Sequence, residues 1–472
     1  MAKVNPGNKT KMPSEKKIKK GGPITLLSIL CVMLTLLLVM TFVRFPVGTK
    51  NFNGVLGALD LDYDIEGGVA YTLELSEDNT EEVKDIEEVL DTFRYRLNEL
   101  GYQTYSVKAL KNTDAGVKDY AVRIEIDNYK TVEPKELEVL RAENDSSIQA
   151  VAAYGEVSIL GGTTNTDANP EILTEEKAIE KAKFGGSYVG ADGTTYYLVE
   201  ITFTEYGHNE LLSLIENAAS TESATFYMGM KIGDTTLLST SQIYADAFDG
   251  RKLVVTSQSE LGAKQVALQI NSGGLAYKYD IDSAIQGKVD VTSPYGESVA
   301  TKCVIVVVSF LVLVFVAYGL LYKGFSSVVS LSLLSFILLE ILMLIAVPGV
   351  KLSLGGVAGI VLALVLTGIS LAYTANNIKK EFVNTEKTVK AAVKKGFKDS
   401  LMGVLNTFIV SGIIAVLLLI FTIGTVRCFA ITFGIGVVLG LITSLVFSRM
   451  FSALILPIAN YNEKFFGVKR GE

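Results

Sequence analysis

Three cysteines, one histidine and no tryptophan occur in 472 residues. Cys31, Cys303 and Cys428 all lie in apolar runs, and the stretch between Pro46 and Ala300 has none, so no disulfide framework is available there. The single histidine, His208, follows Gly207 at a helix start and reads as structural; one histidine supports neither a Cys/His zinc pattern nor His-based acid–base chemistry. No G-x-x-x-x-G-K-[ST] sequence is present, which argues that the chain does not itself hydrolyse ATP. From these absences we expect no cofactor, no metal and no enzymatic activity.

What is present is apolar and unevenly charged. The chain is 49% hydrophobic, with a mean hydropathy of +0.37. Between Pro46 and Ala300 there are 43 acids and 20 bases, a net of −23; the remainder carries 7 acids and 23 bases, a net of +16, which together give the overall −7. An acidic soluble domain is thus joined to a basic membrane part. The bases cluster beside apolar runs, so they speak to membrane topology, and no nucleic-acid partner is expected.

The run 23–46 is too long for a signal-peptide core and ends in Arg44-Phe45-Pro46, so it reads as an uncleaved transmembrane helix preceded by a basic cytoplasmic N-terminus, 1–22. Residues 47–300 follow as an extracytoplasmic α+β domain. Its strand and helix patterns suggest two βαββαβ units, about 60–162 and 190–285, each ferredoxin-like. Between them, 161–170 reads as loop and the charged 171–183 as a surface helix. Residues 301–450 hold five further apolar runs, transmembrane helices 2–6, with a basic cytoplasmic loop at 376–400; residues 451–472 form a cytoplasmic C-terminus. The expected fold is therefore an α-helical bundle of six transmembrane helices plus a large α+β extracytoplasmic domain. The excess of positive charge falls on the cytoplasmic side in this scheme.

Several motifs, in order, resemble one family. Asp64-Ile65-Glu66-Gly67-Gly68-Val69 is similar to D-L-x-G-G-V. Val89-Leu90 with Arg94, Arg96, Leu100 and Gly101 is similar to V-I-x-x-R-x-x-x-L-G. Ser272-Gly273-Gly274-Leu275 resembles S-G-A-L, residues 352–360 resemble L-T-L-P-G-I-A-G-I, and Val426-Arg427-Cys428-Phe429-Ala430-Ile431-Thr432 resembles V-R-G-F-A-V-T. The family is SecD, the accessory membrane subunit of the bacterial Sec protein-export translocase, within the RND superfamily. The resemblance implies a multi-pass protein of the bacterial cytoplasmic membrane with both termini cytoplasmic. It also implies a SecF-like subunit, the Sec translocon channel, unfolded preprotein substrate and membrane lipid as partners, with export coupled to the proton-motive force. Ile369 and Val404 stand where the family places intramembrane acids, so the resemblance implies a proton site that is altered or lost here. An RND-type exporter of lipid or small molecules, and a proton-inert scaffold of the translocon, are the rival readings.

Individual residues carry narrower expectations. Glu340 is an acid deep in the third apolar run, and acids there usually face the bundle and act in proton transfer or interhelical hydrogen bonding. Arg427 is its candidate partner at the outer face, or a snorkelling anchor, and Asn406 is a polar member of the same relay or an interhelical hydrogen-bonder. Asp64, Gly67, Gly68, Gly273 and Gly274 form a structural or partner-contact motif, with Gly67-Gly68 suiting a backbone turn with positive φ. Gly355, Gly356, Gly359, Gly436 and Gly440 suit close helix packing in lipid. The lysines of 387–398 hold their segment inside, touch anionic lipid or dock a cytosolic partner.

Overall fold

The computed structural model describes residues 21–43, 45–47, 50–52, 54–79, 86–111, 120–127, 134–191, 193–220, 225–233, 235–257, 259–273, 275, 277–347, 350–384 and 388–461. The lysine-rich residues 1–20, Gly274 and the tail 462–472 lie outside the described residues.

Helix α1 (Gly21–Phe42) leads to the hairpin β1 (Phe45–Val47) and β2 (Lys50–Phe52). The first lobe follows: α2 (Tyr63–Glu66), β3 (Gly68–Leu75), α3 (Ile86–Glu99), β4 (Tyr105–Lys111), β5 (Tyr120–Asp127) and α4 (Pro134–Val151). The second lobe holds β6 (Val157–Gly162), β7 (Glu171–Thr174), α5 (Glu175–Ala178), β8 (Ile179–Val189), β9 (Thr195–Phe203), α6 (Glu205–Ser220), β10 (Tyr227–Ile232), β11 (Thr235–Gln242), β12 (Phe248–Asp249), β13 (Lys252–Ser257) and α7 (Glu260–Ser272). The chain then returns to the first lobe through β14 (Tyr279–Asp280), α8 (Ile281–Gln286) and β15 (Val289–Val291).

Register explains the first lobe. Val69 lies opposite Ile126, Tyr71 opposite Ile124 and Leu73 opposite Val122, while Val107 lies opposite Ile124 from the other side. Side chains alternate faces along a strand, so this register puts all seven on one face. They are buried there with Val89, Leu90, Phe93 and Leu97, whose 3–4 residue spacing makes the apolar stripe of α3.

The sheet order is β14-β3-β5-β4, with β15 also pairing β3. The last strand of the expected unit 60–162 does not close this sheet. It forms β6, which pairs with β10 in the second lobe, and β14 and β15 from the far end of the domain take its place. The second lobe has two four-stranded sheets, β11-β10-β6-β7 and β12-β13-β9-β8, over one core with α6 and α7. The unit boundaries 60–162 and 190–285 are therefore not those of the sheets. Residues 171–183 are mostly strand rather than surface helix, because Ile179 and Ala182 turn inward as β8 pairs with β9.

The membrane part consists of α9 (Val299–Tyr322), α10 (Ser326–Ala346), α11 (Leu354–Asn384), α12 (Val389–Phe421), α13 (Gly424–Ile442) and α14 (Ser448–Ile458). A five-residue π-helical segment, Thr443–Phe447, joins the last two. Among the described residues, five stretches are long and apolar enough to cross a membrane: Gly21–Phe42, Val299–Ala346, Leu354–Val383, Val389–Phe421 and Gly424–Ile458. The second is 48 residues long and is interrupted at Lys323, whose φ is +46°. Most of 376–400, expected as a loop, is helical: α11 runs to Asn384, and the Thr388 hydroxyl caps α12 by accepting from Ala391 N. Likewise α14 carries helix through 451–458, and Arg427 sits in the first turn of α13 rather than in a loop.

Glycine brings α11 against α13. A Cβ at Gly355 would fall within 3.0 Å of Thr425, at Gly359 of Thr432 and Phe429, at Gly436 of Ala363, and at Gly440 of Thr367 and Phe408. In lipid such backbone proximity is a main source of helix association. Thr432 adds a hydrogen bond across the contact, its hydroxyl donating to Gly356 O at 2.8 Å.

Candidate functional site

The soluble domain meets the bundle at the N-terminal end of α11. Leu61 and Leu352 form a short parallel bridge in which Asp62 N donates to Leu352 O (3.1 Å) and Leu352 N donates to Asp60 O (2.7 Å). Asp64 Oδ2 accepts from Leu354 N at 2.8 Å. It thus puts a carboxylate on free backbone donors at the positive end of the helix dipole. Lys351 forms an ion pair with the buried Asp127 at the end of β5. The Cys428 thiol of α13 donates to Gln103 Oε1 at 2.8 Å. Burial pushes the carboxyls of Asp62 and Asp64 up to about 6, against the pull of their backbone hydrogen bonds.

Local backbone fixes these groups. Asp62 caps α2 by accepting from Tyr63 N, and Gly67 ends α2 with φ +89°. A Cβ at Gly67 would lie within 3.0 Å of the Val291 carbonyl, and one at Gly68 within 3.0 Å of the Ile126 carbonyl. The motif Asp64-Ile65-Glu66-Gly67-Gly68 therefore places a carboxylate on α11 and then enters β3 between two backbones.

The bundle holds a second polar feature. Glu340 of α10 has no exposed surface, and neither carboxylate oxygen has a hydrogen-bond partner among the described residues. Its carboxylate lies against Gly436, the glycine that also receives Ala363 of α11, so one acid sits where α10, α11 and α13 meet. Arg427 and Asn406 are exposed. Arg427 stands nine residues before Gly436, about 14 Å along the α13 axis, so the expected pairing with Glu340 is not formed. Ile369, where the family resemblance puts an acid, is 59% exposed, whereas Val404 is buried.

Sequence reading did not anticipate the clasp between the lobes. Arg96 is fully buried. Its guanidinium donates to Val151 O (2.7 Å), Ala153 O (3.1 Å), Ser272 Oγ (3.0 Å) and the carbonyl of Gly273. Two of the quoted motifs thus meet in space, although 176 residues separate Arg96 from Ser272. The signal was an arginine at a position of the helix that periodicity makes inward-facing. Desolvation lowers this guanidinium to about 10, so it stays charged at neutral pH. Between the lobes lies a cleft of about 1570 Å³, lined by residues of β11 and β13 together with Gln149, Gln269 and Lys278. Among the described residues, β11 is an edge strand of its sheet. No group of three or more His, Cys, Asp or Glu side chains gathers there or elsewhere among the described residues in a way that could hold a metal.

Comparison with known proteins places these features in a family context. Residues 275–456 match the family model of the protein export membrane protein SecD/SecF, C-terminal. The chain is 23% identical over 411 residues to the protein translocase subunit SecD of Acidaminococcus fermentans, covering 86% of this chain and 88% of that relative. It is 30% identical over 128 residues to SecD of Escherichia coli strain K12, covering 27% of this chain and only 21% of that protein. In fold, it superposes on a crystal structure of SecDF in a super-membrane-facing form with a TM-score of 0.68 at 19% identity, covering 94% of this chain and 58% of that one.

Proposed function

We propose, from the premise that the chain is a SecD-like membrane protein, that it is an accessory subunit of the Sec preprotein translocase and assists export of unfolded proteins. The observation that carries this reading is the match to a SecD subunit along 86% of the chain. In this reading the 48-residue apolar stretch Val299–Ala346 folds back at Lys323, because about 72 Å of straight helix is more than twice a hydrocarbon core. That makes six spans. The bases of α12 lie at the end of the bundle away from the soluble domain, which favours cytoplasmic termini and an extracytoplasmic domain. The first lobe reads as a ferredoxin-like unit whose fourth strand is shared between β14 and β15.

The working parts follow. The cleft between the lobes takes an unfolded segment of preprotein, and the open edge of β11 offers backbone groups to an extended chain. A SecF-like partner supplies what corresponds to the remainder of the SecDF chain, packing on the exposed stripe of α11 that includes Leu362, Ile369 and Tyr373. Glu340 is the titrating group that biases the bundle between two arrangements, and the Asp64–α11 contact passes the change to the domain. Affinity purification from native membrane tests the assignment. Recovery of a SecF-like subunit together with the translocon channel is expected. A lipid-loaded oligomer of this chain alone would instead favour an exporter.

A further inference from the structure

At the end of the bundle away from the soluble domain, α12 and α14 diverge around a recess of about 650 Å³. Its floor is apolar, with Val393, Phe397 and Leu456 buried. Its rim is cationic. Lys390, Lys394 and Lys398 recur every four residues and so share one face of α12, and Arg449 reaches in from α14. The Arg449 guanidinium lies 5.5 Å from the centre of the Phe397 ring, a cation–π contact that holds it over the floor.

The charges are sorted. Lys395, which does not line the recess, donates to Glu381 Oε1 at 2.9 Å and lies 4.0 Å from Asp399. Among the described residues, no carboxylate pairs with Lys390, Lys394, Lys398 or Arg449. Four like charges around one apolar floor repel each other unless an anion enters, and a planar guanidinium beside lysines suits a phosphate. We infer that this recess binds one anionic phospholipid of the adjacent leaflet, phosphate among the four cations and glycerol-acyl portion on the Phe397 floor. Basic pockets between membrane helices recognise anionic headgroups in this way. The inference rests on the membrane-spanning reading of the bundle and is independent of the translocase role.

Native mass spectrometry of the full chain, titrated with phosphatidylglycerol and separately with phosphatidylcholine, tests it. One phosphatidylglycerol is expected to bind in preference to phosphatidylcholine. A cation near an anionic headgroup contributes about fivefold in affinity, so Lys394→Gln with Arg449→Gln should weaken binding about twenty-five-fold. Lys395→Gln should leave it unchanged. Equal binding of both lipids, or equal weakening by Lys395→Gln, would overturn the proposal. So would displacement by glycerol 3-phosphate alone, which would mark a soluble-anion site. Binding that emerges only after residues 462–472 are deleted would assign the recess to the chain's own tail. A chain that fails to enter lipid nanodiscs would instead defeat the membrane-spanning reading itself.

Discussion

Polar groups in the apolar helices follow two regimes. Ser332, Thr367, Thr374 and Ser452 each donate to the carbonyl four residues earlier, at 2.7–3.0 Å, so their hydroxyls are satisfied within one turn. Glu340 and the π-helical segment are the contrast: both Glu340 oxygens and the hydroxyls of Thr443 and Ser444 are buried without hydrogen-bond partners among the described residues. A π segment shifts the carbonyl ladder away from the i−4 position that such hydroxyls use, and π segments are frequent at functional sites. At the junction outside the membrane, by comparison, Asp64 and Asp127 are buried but each engaged through one oxygen, Asp64 Oδ2 by a helix N-terminus and Asp127 Oδ2 by Lys351, while Asp64 Oδ1 has no hydrogen-bond partner among the described residues. The junction is closed in this structure. Glu340 is held at a cost of about 2.5–3.5 kcal/mol if charged, with no structural partner that accounts for it.

The largest expected effect tests the closed side. Gly68→Ala drives a Cβ into the Ile126 carbonyl, where neither backbone can retreat without unpairing β3 from β5. We expect a loss on the order of 4 kcal/mol or more. A soluble, cooperatively melting Gly68→Ala domain with unchanged midpoint would break the comparison. Arg96→Ala follows, leaving the buried carbonyl of Val151 without its donor and taking one of two donors from the carbonyls of Ala153 and Gly273, for about 3–5 kcal/mol. Urea denaturation of the variant should show it, and proteolysis near 272–275 should quicken first.

A smaller effect concerns acid. Asp62 and Asp64 titrate near 6 in the folded protein, above the ordinary 3.8. The folded state therefore holds more protons than the unfolded one between about 4 and 6, and stability rises as pH falls through that window. The thermal midpoint should be higher at pH 5 than at pH 7 by a few degrees. Asp62→Asn with Asp64→Asn should flatten that dependence while raising the midpoint at pH 7, since amide oxygens still accept from Tyr63 N and Leu354 N. A pH profile unchanged by the double substitution would show that the junction acids do not report on closure.

Much of this layout was legible in the sequence, and the gaps have physical causes. Apolar runs and glycine spacing locate the membrane helices, because both follow from local pattern. The α3 face was legible from Val89, Leu90, Phe93 and Leu97. The short apolar run of β6 marks a strand but not its neighbour; its pairing with β10 rather than with the first lobe's sheet is set across 65–75 residues of chain. The 376–400 segment carries so many lysines that it read as a loop, although Ala391, Ala392 and the Thr388 cap make it helical. Contacts such as Lys351–Asp127, 224 residues apart, leave no local signal. Glu340 stood out by depth alone; that Arg427 does not reach it depended on where α13 begins.

In the proposed function the moving part is Glu340, not the closed junction. Its most direct test is uncoupler-sensitive export in cells that depend on this chain, comparing the native protein with Glu340→Gln, which keeps size and hydrogen bonding but cannot titrate. The account predicts a subunit that assembles and melts within about 1 kcal/mol of the native protein, yet exports slowly and responds little to an uncoupler. Normal export by Glu340→Gln with full sensitivity to the uncoupler would contradict it.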